Sequence, residues 1–165
     1  MLTYNGAAET VLVGLDHLEG ETVSILANGA THPDRTVSSG SITLARPSNV
    51  VHVGLPYTST LQTMRIEAGA ADGTAQGKKK RVSRINYRFY RSLGVKHGPS
   101  PEKNDIIPFR SSADEMDSPV ALFTGDKEVE FPRGWDTDGF VTVIQDQPLP
   151  LTLVAIMPVL NTTKV

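Results

Sequence analysis

Apolar and polar positions alternate along this chain in short runs, and turn-forming residues separate the runs. Residues 10–13 form a first apolar run, closed by Gly14. Thr22-Val23-Ser24-Ile25-Leu26 alternates until Asn28-Gly29, a pair that tolerates positive φ and so predicts a tight turn. Residues 35–37 lead into Ser38-Ser39-Gly40, a second turn signal. Ser41-Ile42-Thr43-Leu44-Ala45 alternates with Ile42 and Leu44 on one face, and Pro47 is expected to end that strand. Residues 49–55 resume it, with Val51 and Val53 on one face and His52 on the other. Turn signals recurring every ~8–12 residues suit a sandwich or barrel. No segment keeps apolar residues at i, i+3, i+4 and i+7 over several turns, so helix is nearly absent.

The stretch 58–67 carries Leu61, Met64 and Ile66 and reads as a strand or a single helical turn. Residues 69–80 hold no apolar anchor and read as an exposed loop ending in Lys78-Lys79-Lys80-Arg81. The clearest strand follows, in which Ile85, Tyr87 and Phe89 line one face and Arg84, Asn86 and Arg88 the other. Residues 94–118 are polar and proline-rich, and read as a long loop anchored by Ile106, Ile107 and Phe109. Residues 127–131 and 140–144 are expected to pair as strands around a turn at Trp135, and the apolar run 151–157 reads as a buried strand. The expected fold is therefore all-β, with short antiparallel strands and long connecting loops. Residues 1–72 form a small barrel-like unit, 73–80 a basic loop or linker, and 81–165 a second, β-sandwich-like sheet unit.

Composition narrows the function. At 165 residues the chain fits one domain or two small ones, and its 39% hydrophobic share implies a thin core, which suits packed sheets. The net charge of −2 argues against nucleic-acid binding, which needs a clearly basic face. Cysteine is absent, which excludes disulfides, thiol catalysis and thiolate-bound zinc. No apolar run approaches the ~18 residues of a helical membrane span. The opening Met-Leu-Thr-Tyr-Asn-Gly has no secretory pattern, and its abruptness is what a piece of a longer chain would show.

Candidate chemistry is sparse. His17, His32, His52 and His97 form no HxH or HExxH pair, and read as surface or hydrogen-bonded histidines. Asp136-Thr137-Asp138-Gly139 resembles part of a calcium loop, which makes Asp136 and Asp138 the candidate metal ligands. The third Asp/Asn and the distant Glu of such a loop are missing, so an Asx turn between strands is the favoured reading. The carboxylates of Asp114, Glu115 and Asp117 have no aromatic sugar platform beside them, and no nucleophile elbow or phosphate loop is present. No cofactor is expected. The strongest charge feature is the basic run Lys78, Lys79, Lys80 and Arg81, continued by Arg84, Arg88 and Arg91. It is read first as a solvated strand face, and second as a stripe for nucleic acid or an acidic partner surface.

Six segments, in order, resemble a known family: residues 14–23 (Gly-Leu-Asp-His-Leu-Glu-Gly-Glu-Thr-Val), 52–57 (His-Val-Gly-Leu-Pro-Tyr), 69–78 (Gly-Ala-Ala-Asp-Gly-Thr-Ala-Gln-Gly-Lys), 109–111 (Phe-Arg-Ser), 122–127 (Leu-Phe-Thr-Gly-Asp-Lys) and 145–150 (Gln-Asp-Gln-Pro-Leu-Pro). They are similar to the C-terminal region of bacteriophage and prophage tail proteins of the nozzle or stabilisation type. Part of that region resembles the small β-barrel module of ubiquitin-activating enzymes, a likeness of fold and not of chemistry. The resemblance implies a non-enzymatic virion component, assembled in the host cytoplasm, cut from a longer protein and contacting other tail subunits. It also implies a homo-oligomeric ring in the full-length protein. The basic run and the single Trp make Lys78, Lys79, Lys80, Arg84, Arg88 and Trp135 the candidate contact residues. The alternative is a module binding carbohydrate or a host surface, for which Trp135, Tyr57, Tyr87 and Tyr90 would offer stacking faces.

Overall fold

The computed structural model describes residues 1–67, 74–115, 118–132 and 134–163. Residues 69–73, in the expected loop and in one tail-like segment, lie outside the described residues, as do Met116 and Asp117. The chain is all-β, built of three antiparallel sheets, and its helical content among the described residues is one 3-10 turn at Asp16–Leu18. It divides into two compact units. The first is Met1–Thr58 with Arg110–Ala121 and Asp146–Leu149, and the second is Ser59–Phe109 with Leu122–Gln145 and Pro150–Val165.

The first unit holds β1 (Leu2–Val13), β2 (Thr22–Ala27), β3 (Ala30–Thr36) and β4 (Ser41–Gly54) in the order β1-β4-β2-β3. Val23, Ile25 and Ala27 point into the core while Thr22, Ser24 and Leu26 do not, the alternation a half-buried strand requires. Ile42, Leu44, Val51 and Val53 join them with Leu12, Leu15 and Leu18. The β2–β3 turn has Asn28 at φ 51° and Gly29 at φ 80°, both left-handed as a primed hairpin turn demands. The side-chain oxygen of Asn28 accepts the N–H groups of Asn49 and Val50, tying that turn to β4.

Two expectations are corrected here. Pro47 does not end the strand, because β4 runs through it from Ser41 to Gly54. The ladder to β1 is irregular at that point, with shifts on both sides of the Glu9–Ser48 pair, so the missing N–H of Pro47 costs no regular bond. Nor does the sheet close into a barrel: β1 and β3 remain its two edges. Closure would need β1 and β3 to pair with each other, and they do not.

The second unit has two sheets. One has the order β5-β10-β7-β8, from β5 (Ser59–Gln62), β10 (Thr142–Gln145), β7 (Lys96–Ser100) and β8 (Lys103–Ile106). The other has the order β11-β6-β9, from β11 (Leu153–Thr162), β6 (Lys80–Ser92) and β9 (Phe123–Glu130). Val82, Ile85, Tyr87 and Phe89 of β6 share one core with Val95, Ile107, Phe131, Val141 and Val143, so the arrangement is a sandwich.

The expected loop 94–118 is partly a hairpin, because β7 and β8 fall within it and Val95, His97 and Ile107 are buried there. The expected hairpin of 127–131 with 140–144 does not form. Instead, β9 pairs with β6, and β10 enters the other sheet between β5 and β7. All four β10 residues are buried, as expected of a strand flanked on both sides within its sheet and covered by the core. Strand β6 also departs from strict alternation. Leu160 opposes Val82 and Val159 opposes Arg84, so Ser83 is an extra residue, and this bulge turns Val82 inward.

Candidate interaction surface

The outer face of the three-stranded sheet collects much of the chemistry that the sequence points to. On β6, Arg84 and Arg88 project outward, and on β9 Asp126, Glu128 and Glu130 do the same. Register sets them side by side, with Arg88 opposite Asp126 and Arg84 opposite Glu130. Arg88 holds Asp126 with two parallel bonds, Nε at 2.7 Å and a terminal nitrogen at 2.8 Å. Arg84 reaches Glu128 at 2.8 Å. The Arg88 guanidinium keeps the Asp126 carboxyl below its usual range, and the carboxylate raises Arg88 in turn. The basic stripe therefore meets an acidic row of its own sheet. Such exposed pairs contribute little stability.

The two edges of this sheet differ. Along β9, charged residues alternate with inward ones, and Lys127 lies over the Phe109 and Phe123 rings at 5.3 and 5.4 Å. Strand β11 is the opposite case, with no charged residue among its ten positions. Val154, Met157 and Val159 are exposed on it, and no described strand pairs with its far side. Pro158 is the one edge-blunting residue in it.

The remaining candidates scatter. Lys79 is exposed and Lys78 half-buried, whereas Lys80 is only 2% exposed. The Lys80 backbone exchanges two hydrogen bonds with Asp136, and its ammonium donates to the Thr137 carbonyl at 3.0 Å. That places Lys80 inside the second unit as a pin for the turn at 136–139, and removes it from the contact surface. Nothing in its sequence context marked it, because burial came from the distant turn closing over it.

Asp136 accepts the N–H groups of Asp138 and Gly139, an Asx turn, and Asp138 pairs with Arg65 at 2.9 Å. Among the described residues, no group of three or more His, Asp or Glu side chains is placed to hold a metal ion. Trp135 is half exposed, as is Tyr90, and Tyr57 more so. Tyr87 is fully buried, so it offers no stacking face, contrary to the expectation for it as an aromatic candidate.

The acidic stretch is used locally. Asp114 accepts the Ser111 N–H at 2.6 Å, which holds its carboxyl below the usual range, and Glu115 accepts the Ser118 hydroxyl. Arg110 forks onto the Glu115 and Ser118 carbonyls. It also lines a cleft of about 450 Å³ in the first unit, together with Thr31, His32, Arg46 and Ser118. His32 is engaged there: its Nε2 accepts the Ala45 N–H at 2.8 Å and its Nδ1 donates to the Pro33 carbonyl at 2.7 Å. His52 meets the Thr3 hydroxyl. The apolar run 151–157, expected to be a buried strand, instead falls in the edge strand β11 with Val154 and Met157 exposed, because β6 covers only one of its sides. The signal of that edge in the sequence is the unbroken lack of charge from 151 to 163.

No family model matches the chain, and no curated protein matches it.

Proposed function

We propose that this chain is a structural assembly module of a bacteriophage tail, through which neighbouring subunits touch, with no catalytic role. Its tail identity rests on the six segments named above. The observation that carries the assembly role is the β11 edge: an uncharged, partly apolar strand with an unpaired side fits another protein chain better than it fits water. The charged β9 edge opposite it discourages pairing on that side. With β11 the edge open to pairing, a ring needs that edge to meet a different surface of the next subunit, a head-to-tail contact.

The test uses the full-length protein. Met157→Lys with Val159→Lys places two ammonium groups on the β11 edge. Self-association in light scattering and incorporation into tail particles are expected to drop at least about tenfold, the effect of roughly 1.4 kcal/mol, with circular dichroism unchanged. A parent protein that stays monomeric and is missing from particles, or a variant that assembles as well as the parent, would overturn the proposal.

A further inference from the structure

The two sheets of the second unit meet through aliphatic and aromatic side chains, and a polar link crosses between them. His97 on β7 is buried, and its Nδ1 lies 3.2 Å from the Tyr87 hydroxyl on β6. The imidazole stands edge-on to the Tyr87 ring at 5.5 Å and to Phe131 at 5.8 Å. Strand β7 is flanked by β10 and β8, and a Cβ at Gly98 would come within 1.9 Å of the Lys103 carbonyl oxygen. The β8 backbone therefore packs tightly against the strand that carries His97.

A neutral imidazole has one donor and one acceptor nitrogen. The Tyr87 O–H has no other acceptor among the described residues, so we assign it as donor to Nδ1, which leaves the imidazole proton on Nε2. A second proton has to sit on Nδ1. The phenol must then reverse and accept, leaving its own hydrogen turned toward apolar neighbours, and a full charge appears beside Phe131. The surrounding charge offers little relief. Strand β10 presents Val143, β6 presents the neutral Tyr87, and β8 presents Asp105 opposite His97. Lys96 precedes His97 on β7 and Lys103 opens β8. Asp105 favours the charged ring, but burial outweighs it and holds the imidazole below its ordinary range.

We infer that His97 is an acid-sensitive latch between the two sheets, whose protonation loosens the second unit. Because the folded value lies below the unfolded one, the unfolded chain takes up a proton that the folded chain refuses. The latch's contribution is complete above the ordinary imidazole value of about 6.5 and declines as pH falls below it. The unfolding equilibrium constant then rises by up to about tenfold per pH unit.

The experiment is denaturant unfolding of the chain from about pH 7.5 down to about pH 5, above the carboxylate range. His97→Asn puts an amide oxygen near the place of Nδ1, so the acceptor survives without a titrating ring. The parent is expected to lose stability over this interval and His97→Asn to lose much less, while His17→Gln, at an exposed ring, keeps the parent's slope. A proton NMR titration of the parent follows the His97 ring directly, whether or not a variant folds. An imidazole that titrates at or above its ordinary value, with Tyr87 undisturbed, overturns the latch. So does the full parent slope retained in His97→Asn, or lost in His17→Gln alone.

Discussion

The Glu19 carboxylate holds two consecutive backbone N–H groups, Ser39 at 2.8 Å and Gly40 at 2.7 Å. Those residues have φ of 52° and 63°, a left-handed pair whose amides converge on one anion. A Cβ on Gly40 would meet an Asp16 carboxylate oxygen at 2.3 Å, so the turn and the 3-10 segment are packed in contact. This is a physical use for the acidic residue in Gly14-Leu15-Asp16-His17-Leu18-Glu19-Gly20, where Leu15 and Leu18 enter the core. Glu19→Ala is expected to destabilise the first unit by about 1–3 kcal/mol, with Glu19→Gln costing less, as read by denaturant unfolding. Glu67 works in a related way, accepting the Ala75 N–H and the Thr74 hydroxyl, which lowers its carboxyl from the usual range.

At the scale of elements, the three-stranded sheet shows how pairing partners set a strand's meaning. Arg84 and Arg88 on β6 look like a surface waiting for an acidic partner until β9 is laid beside them. Their pairs are solvent-exposed, so Arg88→Ala is expected to move the thermal midpoint only slightly at low salt. The difference should vanish near ~1 M salt, where the screening length falls to about 3 Å. A large, salt-independent loss would mean that Arg88 holds the sheet by packing rather than by charge. The contrast between β9 and β11 follows the same logic. Alternating Asp126, Glu128 and Glu130 protect one edge, and β11 has only Pro158 on the other.

In the whole molecule, most of the buried apolar residues fall into two clusters with no member in common. The chain enters the first unit three times, through Met1–Thr58, Arg110–Ala121 and Asp146–Leu149. Two cores imply two stabilities. Ile25→Ala, in the first cluster, is expected to cost about 2–5 kcal/mol of that unit's stability. Hydrogen exchange should quicken at amides of β2 and β4 while protection on β6 and β10 is kept. Uniform acceleration in both clusters would show that they unfold as one cooperative body.

What the amino-acid order determined by itself is what period and turn chemistry carry. The all-β class, the Asn28-Gly29 hairpin, the inward faces of β2 and β4, and the outward arginines of β6 all follow from residues within a few positions of one another. The Asx turn at Asp136 was legible for the same reason, since its donors lie two and three residues away. Tertiary structure decided whatever depends on a distant partner. It paired β9 with β6, put β10 between β5 and β7, left the first sheet open, and buried Lys80 under a turn more than fifty residues downstream. The same holds for the candidate surface. The lack of charge along β11 is visible in the sequence, but its place at the edge of a sheet is fixed only by which strands find one another, because every strand presents the same backbone groups for pairing.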